Sequence, residues 1–215
     1  MQHIYSEDLQ SIRSYLLETY KPKALVLHGS RVTGNAGLNS DYDIALIGSN
    51  QRVFSHKYGN HHLDLFDVPG DTKMLEVNGI PMHPAQVLHD DASQIGTTLV
   101  NSAKSAYDKG PELLTLEEID MRRNFAERLI NRMEDRKQCR MTKYYYMAIF
   151  YPRVIRYWFE LNQLWTLPIY AALKTIKEKD PFFLTLLENL YTEASAETAQ
   201  KVYNYIFIDE VMSND

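Results

Sequence analysis

The stretch from Ala24 to Ile47, ALVLHGSRVTGNAGLNSDYDIALI, constrains the fold of this chain more than any other segment. A short apolar run, Ala24 to Leu27, leads into Gly29-Ser30. After a gap of ten residues, Asp41 and Asp43 open a second apolar run. A third carboxylate, Asp64, lies within His62-Leu63-Asp64-Leu65-Phe66. Short apolar runs bounded by turn residues read as strands. The segment therefore predicts a glycine-serine turn after one strand and acidic residues on its neighbours.

Side chains on a strand alternate between faces, and residues two apart lie roughly 6.5 to 7 Å from each other. Asp41, Asp43, Ala45 and Ile47 then share one face, while Tyr42, Ile44 and Leu46 form an apolar core face. Two carboxylates held that close repel unless a cation joins them. Hard cations such as Mg²⁺ bind one or two carboxylates and complete their shell with substrate phosphates. In the next strand, Leu63 and Leu65 point one way while His62, Asp64 and Phe66 point the other. Pairing the strands with cores aligned places Asp64 beside Asp41 and Asp43. Two metals roughly 3.5 to 4 Å apart suit in-line phosphoryl displacement. Glycine permits a tight turn and close backbone approach. A short helix opening at Ser30 offers free amides and a hydroxyl to an anion, and Arg31 adds a charge-assisted contact to a triphosphate. Asn35 to Ser40 form the loop into the acidic strand, with Ser40 a further nucleotide-binding candidate.

Gly29-Ser30, the ten-residue gap and Asp41-Tyr42-Asp43-Ile44 resemble the signature of the DNA polymerase β-like nucleotidyltransferase superfamily. Within it, GSRVTG followed by SDYDIAL is similar to small bacterial nucleotidyltransferases, which include aminoglycoside-modifying enzymes and minimal nucleotidyltransferases. The resemblance covers about residues 24 to 68. It implies an α+β chain: an N-terminal nucleotidyltransferase fold, a mixed sheet flanked by helices, followed by a C-terminal all-α helical bundle. It further implies that Asp41 and Asp43 bind two Mg²⁺ ions, with Mn²⁺ as a substitute. Asp64 binds one metal and helps deprotonate the acceptor, while Gly29 and Ser30 hold the β- and γ-phosphates. Asp67 is the competing third carboxylate. A lone Gly-Ser turn or Asp-x-Asp is common; their conjunction carries the signal.

The 215 residues suffice for one or two domains, and 45% hydrophobic with 24% charged residues is ordinary for a globular protein. A net charge of −5 argues against a dominant nucleic-acid surface. No apolar run reaches bilayer length. The polar opening MQHIYSEDLQ is not that of a secretory signal. With a single cysteine, Cys139, the expected setting is a reducing cytoplasm.

Helical spacing of Leu9, Ile12 and Leu16 predicts an amphipathic helix from Ser6, its N-cap, to about Tyr20. Val68 to Asp71 read as a turn, Pro81 to Asp91 as irregular around a short strand at Val87-Leu88, and Gln94 to Tyr107 as a helix. Lys109-Gly110-Pro111 divides residues 1–109, the expected catalytic domain, from 110–215, the expected acceptor-binding bundle. There, Thr115 with Glu118 predicts a capping box opening a helix to Arg140. Thr142 to Trp165 predicts a second helix, kinked or split at Pro152 and with most of its aromatics in the core. Pro168 to Lys179, Pro181 to Tyr191 and Ala194 to Ile208 complete the expected bundle.

His56, His61 and His62 read as a polar loop and strand entrance rather than a transition-metal site. Arg128, Arg132, Arg136 and Arg140 predict a basic ridge interleaved with acidic residues, and Lys174 is a candidate phosphate contact with a surface role as default. The expected activity is transfer of a nucleoside monophosphate from an NTP, most simply ATP, to a hydroxyl of a small-molecule acceptor. The alternative is an antitoxin or AMPylase of the minimal type, which binds or modifies a protein partner. RNA end-tailing is disfavoured by the acidic balance.

Overall fold

The computed structural model describes residues 7–34, 36–49, 51–135 and 139–207. Its contacts divide the chain into two units, Met1–Lys109 and Gly110–Asp215.

The first unit opens with α1 (Glu7–Tyr20), whose Leu9, Ile12 and Leu16 are buried as the helical period requires. Ser6, the expected cap, lies outside the described residues. Strand β1 (Ala24–His28) follows, then a four-residue helix α2 (Ser30–Thr33) and β2 (Tyr42–Ile47). A hairpin of β3 (His56–Tyr58) and β4 (His61–Val68) turns at Gly59, whose φ is +58°. A small hairpin, β5 (Glu76–Val77) with β6 (Ile80–Pro81), precedes β7 (Ala85–Asp90) and α3 (Ile95–Lys109). The main sheet has five strands in the order β3-β4-β2-β1-β7, antiparallel except for the parallel β2–β4 pair.

Both faces of that sheet are covered, because its strands carry apolar residues at both parities. Leu25, Leu27, Tyr42, Ile44, Leu46, Leu63 and Leu65 pack with Leu9, Ile12 and Leu16 of α1. Ala24, Val26, Ala45 and Ile47 pack with Leu99 and Ala103 of α3 and with Leu75 and Met82. Full burial of each large aliphatic side chain is worth roughly 1.5–3 kcal/mol. Gly96 lets α3 sit close, since a Cβ there would meet the Ala24 Cβ at 2.8 Å. The carboxylate of Asp90 caps α3, accepting from the amides of Gly96 (3.0 Å) and Thr97 (2.8 Å).

Two expectations need correction in this unit. The segment read as irregular around Val87-Leu88 is a six-residue edge strand, Ala85–Asp90, paired with β1 and bulged opposite Leu25 and Val26. The histidine-rich stretch read as loop and strand entrance is the β3–β4 hairpin, with Lys57 opposite His62.

The second unit holds α4 (Leu116–Glu134), α5 (Arg140–Leu161), α6 (Ile169–Lys179), α7 (Pro181–Glu193) and α8 (Ala196–Phe207). The capping box forms: the Thr115 hydroxyl accepts from the Glu118 amide, and the Glu118 carboxylate accepts from the Thr115 amide. The core joins Leu129, Ile130 and Met133 to Phe150, Trp158, Phe159, Phe183, Leu187, Val202 and Phe207. Asp180 caps α7 at the Phe183 amide and also accepts from Trp158 Nε1 (3.0 Å) and the Tyr205 hydroxyl (2.9 Å). Glu160, largely buried, receives Arg122 at 2.6 Å and Arg156 at 2.7 Å, tying α4 to α5.

Here too the sequence reading is revised. α4 ends at Glu134 and Arg140 begins α5, so Arg128 and Arg132 stand on one helix and Arg140 on the next; Arg136 lies outside the described residues. Pro152 does not split α5, which runs unbroken through it. Of the aromatics expected in the core, Tyr157 and Trp158 are buried, but Tyr144 and Tyr145 are exposed at 42% and 63%. No helix among the described residues is long and apolar enough to cross a membrane.

Candidate active site

The register of three adjacent strands assembles the site. His28 of β1 stands opposite Asp43 of β2, and Asp43 stands opposite Asp64 of β4. The three share the face that α3 covers further along, where Val26, Ala45 and Phe66 continue it. The acidic row lies at the strand ends before that cover. Asp41 and Asp64 are exposed there, and Asp43 is half-buried. Asp67 falls opposite Leu46, on the α1 face. It helps line a hollow of about 480 Å³ with Lys73, Met74 and Glu76, which none of the other acidic candidates enters.

Gly29 is where the turn and the acid meet. Its φ of +76° belongs to glycine, and a Cβ there would lie 2.2 Å from Asp43 Oδ2. The backbone before Ser30 is thus pressed against the Asp43 carboxylate. α2 is short, with the Val32 and Thr33 amides bonded back to the Gly29 carbonyl at 3.2 Å. The first amides of any such turn have no intrahelical acceptor.

The loop between the two motifs is held by residues first read as nucleotide contacts. The guanidinium of Arg31 donates to the carbonyls of Ser40 and, at 3.1 Å, of Asp41, and lies 3.7 Å from the centre of the Tyr42 ring. The Ser40 hydroxyl accepts from the Gly37 amide at 2.9 Å, closing a turn. In this structure Arg31 and Ser40 therefore shape the approach of Asp41 and Asp43.

Electrostatics mark Asp43 as the strained member. Burial, then the charges of Asp64 and Asp41, push its carboxyl up to about 6, with Arg31 pulling the other way. A divalent cation would relieve that crowding. Among the described residues, no three histidine, cysteine or acidic side chains, Asp41, Asp43 and Asp64 included, gather closely enough to hold a metal ion together. Mg²⁺ takes one or two protein carboxylates and fills its remaining positions with water and phosphate oxygens. The crowded oxygens of Asp43 and its neighbours fit such an ion.

Two residues of the site had no signal in the sequence. His28 directly precedes Gly29; burial lowers its imidazole to about 4, against the opposing pull of Asp64. It is therefore neutral at neutral pH, its ring 5.0 Å from that of Phe66 and its buried Nε2 without a hydrogen-bond partner among the described residues. Ser55 donates to Asp64 Oδ1 at 2.6 Å. The three histidines of the β3–β4 hairpin scatter: His56 bonds Tyr15 and the Phe54 carbonyl, His61 faces Asp8 at 3.5 Å, and His62 is exposed. Lys174 is exposed on α6.

Sheet order, glycine turn and acidic row together define a nucleotidyl-transferring domain. Residues 10–91 match the family model described as Polymerase beta, Nucleotidyltransferase, a span that runs from α1 to just beyond β7 and contains every acidic candidate. Over these residues the chain carries a nucleotidyltransferase domain, consistent with the DNA polymerase β-like nucleotidyltransferase superfamily. No curated protein sequence matches the chain.

Proposed function

We propose that this protein is a metal-dependent nucleotidyltransferase that moves a nucleoside monophosphate from an NTP, ATP in the simplest case, to a hydroxyl of a small-molecule acceptor. The observation that carries the reading is the placement of Asp64 directly opposite Asp43, with Gly29 pressed on the Asp43 carboxylate. In the reaction, the acceptor oxygen bonds to the α-phosphorus, the bond from that phosphorus to the oxygen bridging the β-phosphate breaks, and pyrophosphate leaves. Asp64 receives the proton of the attacking hydroxyl. Ser30 and the first amides of α2 receive the leaving phosphates. Arg31 keeps the loop closed so that Asp41 and Asp43 meet the nucleotide from one side. Mg²⁺ or Mn²⁺ ions held by Asp41, Asp43 and Asp64 would neutralise the triphosphate and acidify the acceptor hydroxyl, which at its ordinary pKa does not ionise at neutral pH.

The helical unit, residues 110–215, is the proposed acceptor-binding part. Exposed Tyr144, Tyr145, Tyr170 and Tyr191 supply flat surfaces of the kind that stack on sugars and rings. The test is incubation with Mg²⁺, each NTP and a panel of aminoglycosides, lincosamides and proteins. A small-molecule product heavier by one nucleoside monophosphate supports the proposal. Modification of a protein alone would transfer it to the AMPylase class. No adduct on any member would count against it.

A further inference from the structure

Strand β3 pairs with β4 from Tyr58 back to His56 and stops there. One step beyond, the ladder continues through a side chain. The amide of Leu65 donates to the Ser55 hydroxyl oxygen at 3.0 Å, and the same hydroxyl lies 2.6 Å from Asp64 Oδ1. The direction of these bonds is fixed by chemistry: a backbone amide only donates, and an ionised carboxylate only accepts. The Ser55 proton must therefore point at Asp64. Because Asp64 and Leu65 are consecutive, Ser55 is anchored to the backbone of the residue it orients.

We infer that Ser55 is a positioning residue for Asp64, holding Oδ1 so that Oδ2 is presented to the divalent cation and the acceptor. Oδ2 makes no hydrogen bond among the described residues. This inference rests on the reading of Asp64 as a site carboxylate. Both side chains are exposed, so water competes for the same bond and its contribution to stability is small. Its effect belongs to orientation. A hydrogen bond to a metal-binding carboxylate typically accounts for about ten- to a hundredfold in metal affinity or activity.

The experiment compares the full-length protein with Ser55→Ala, Ser55→Thr and Asp64→Ala. It reads Mn²⁺ affinity by electron paramagnetic resonance without nucleotide, then kcat and the KM for the NTP. Ser55→Ala should weaken Mn²⁺ binding and lower kcat, each by about tenfold at the low end of that range, with KM for the NTP within about twofold. Ser55→Thr, which keeps the hydroxyl, should restore most of both. Unchanged Mn²⁺ affinity and kcat in Ser55→Ala, beside losses in Asp64→Ala, would overturn the inference and leave the site reading intact. Unchanged Mn²⁺ affinity in Asp64→Ala would remove Asp64 from the cation site and the inference with it. If Ser55→Ala does not fold, Ser55→Thr decides: a folded threonine variant with the alanine-like losses expected here contradicts the role.

Discussion

Gly29 and Asp43 are in a contact that no other residue at position 29 permits: a Cβ would stand 2.2 Å from Oδ2 of the carboxylate. The Gly29 turn and the central acid are therefore built as one object. Gly29→Ala is expected to displace Asp43 and to strain a backbone held at φ +76°. A shift of about 1 Å at a catalytic group costs on the order of a hundredfold in rate. Steady-state kinetics should show a loss of that order, with the protein still folded by circular dichroism.

Arg31 serves the same acid from the other side. It spans the Ser40 and Asp41 carbonyls and packs on Tyr42, a task for a planar, forked cation. Arg31→Lys should therefore behave like Arg31→Ala, each lowering the transfer rate by about tenfold or more as the loop loosens. A lysine variant with normal kcat would mean that charge alone suffices there.

The raised Asp43 carboxyl has a thermodynamic signature. Its folded pKa, about 6, lies above the ordinary 3.8, so the folded state holds a proton between those values that the unfolded state has lost. This contribution to stability is full at low pH and falls as pH rises from about 4 to about 6. In cation-free buffer, Asp43→Asn should gain thermal stability relative to the native protein across that window and hold the gain above it. Divalent cation binding should weaken below about pH 6, because the ion must displace the proton. Parallel melting curves with no divergence would contradict the crowding.

In the helical unit, Asp180 carries the corresponding structural burden. It caps α7 and accepts from Trp158 and Tyr205, so Asp180→Ala strands the indole N–H of buried Trp158 and loses a cap. Losses of about 1–3 kcal/mol for a stranded donor and about 1 for a cap give a total of roughly 2–4 kcal/mol. Urea unfolding of the intact chain reads this directly. Asp180→Asn, which retains an acceptor, should lose less.

Much of this was legible in the residues. Period-two alternation put Tyr42, Ile44 and Leu46 in the core and Asp43 beside Asp64, because a strand's register fixes every side chain on it at once. The Thr115–Glu118 box was legible because a cap is a local event. What escaped was long-range or context-bound. β3 is three residues of polar sequence made a strand by its partner β4, and β7 owes its length to β1. The continuity of α5 through Pro152 reflects packing that outweighs a local penalty. Ser55 is an unremarked serine until β4 brings Asp64 to it, and Arg31 looks like a free cation until the loop folds over it.

The most direct test of the central claim is transfer of label from α-labelled ATP in the presence of Mg²⁺, native protein against Asp43→Asn. Labelled acceptor and released pyrophosphate are expected with the native protein, neither when the cation is chelated, and neither from a variant whose circular dichroism and melting show it folded. Transfer by Asp43→Asn at the native rate would contradict it.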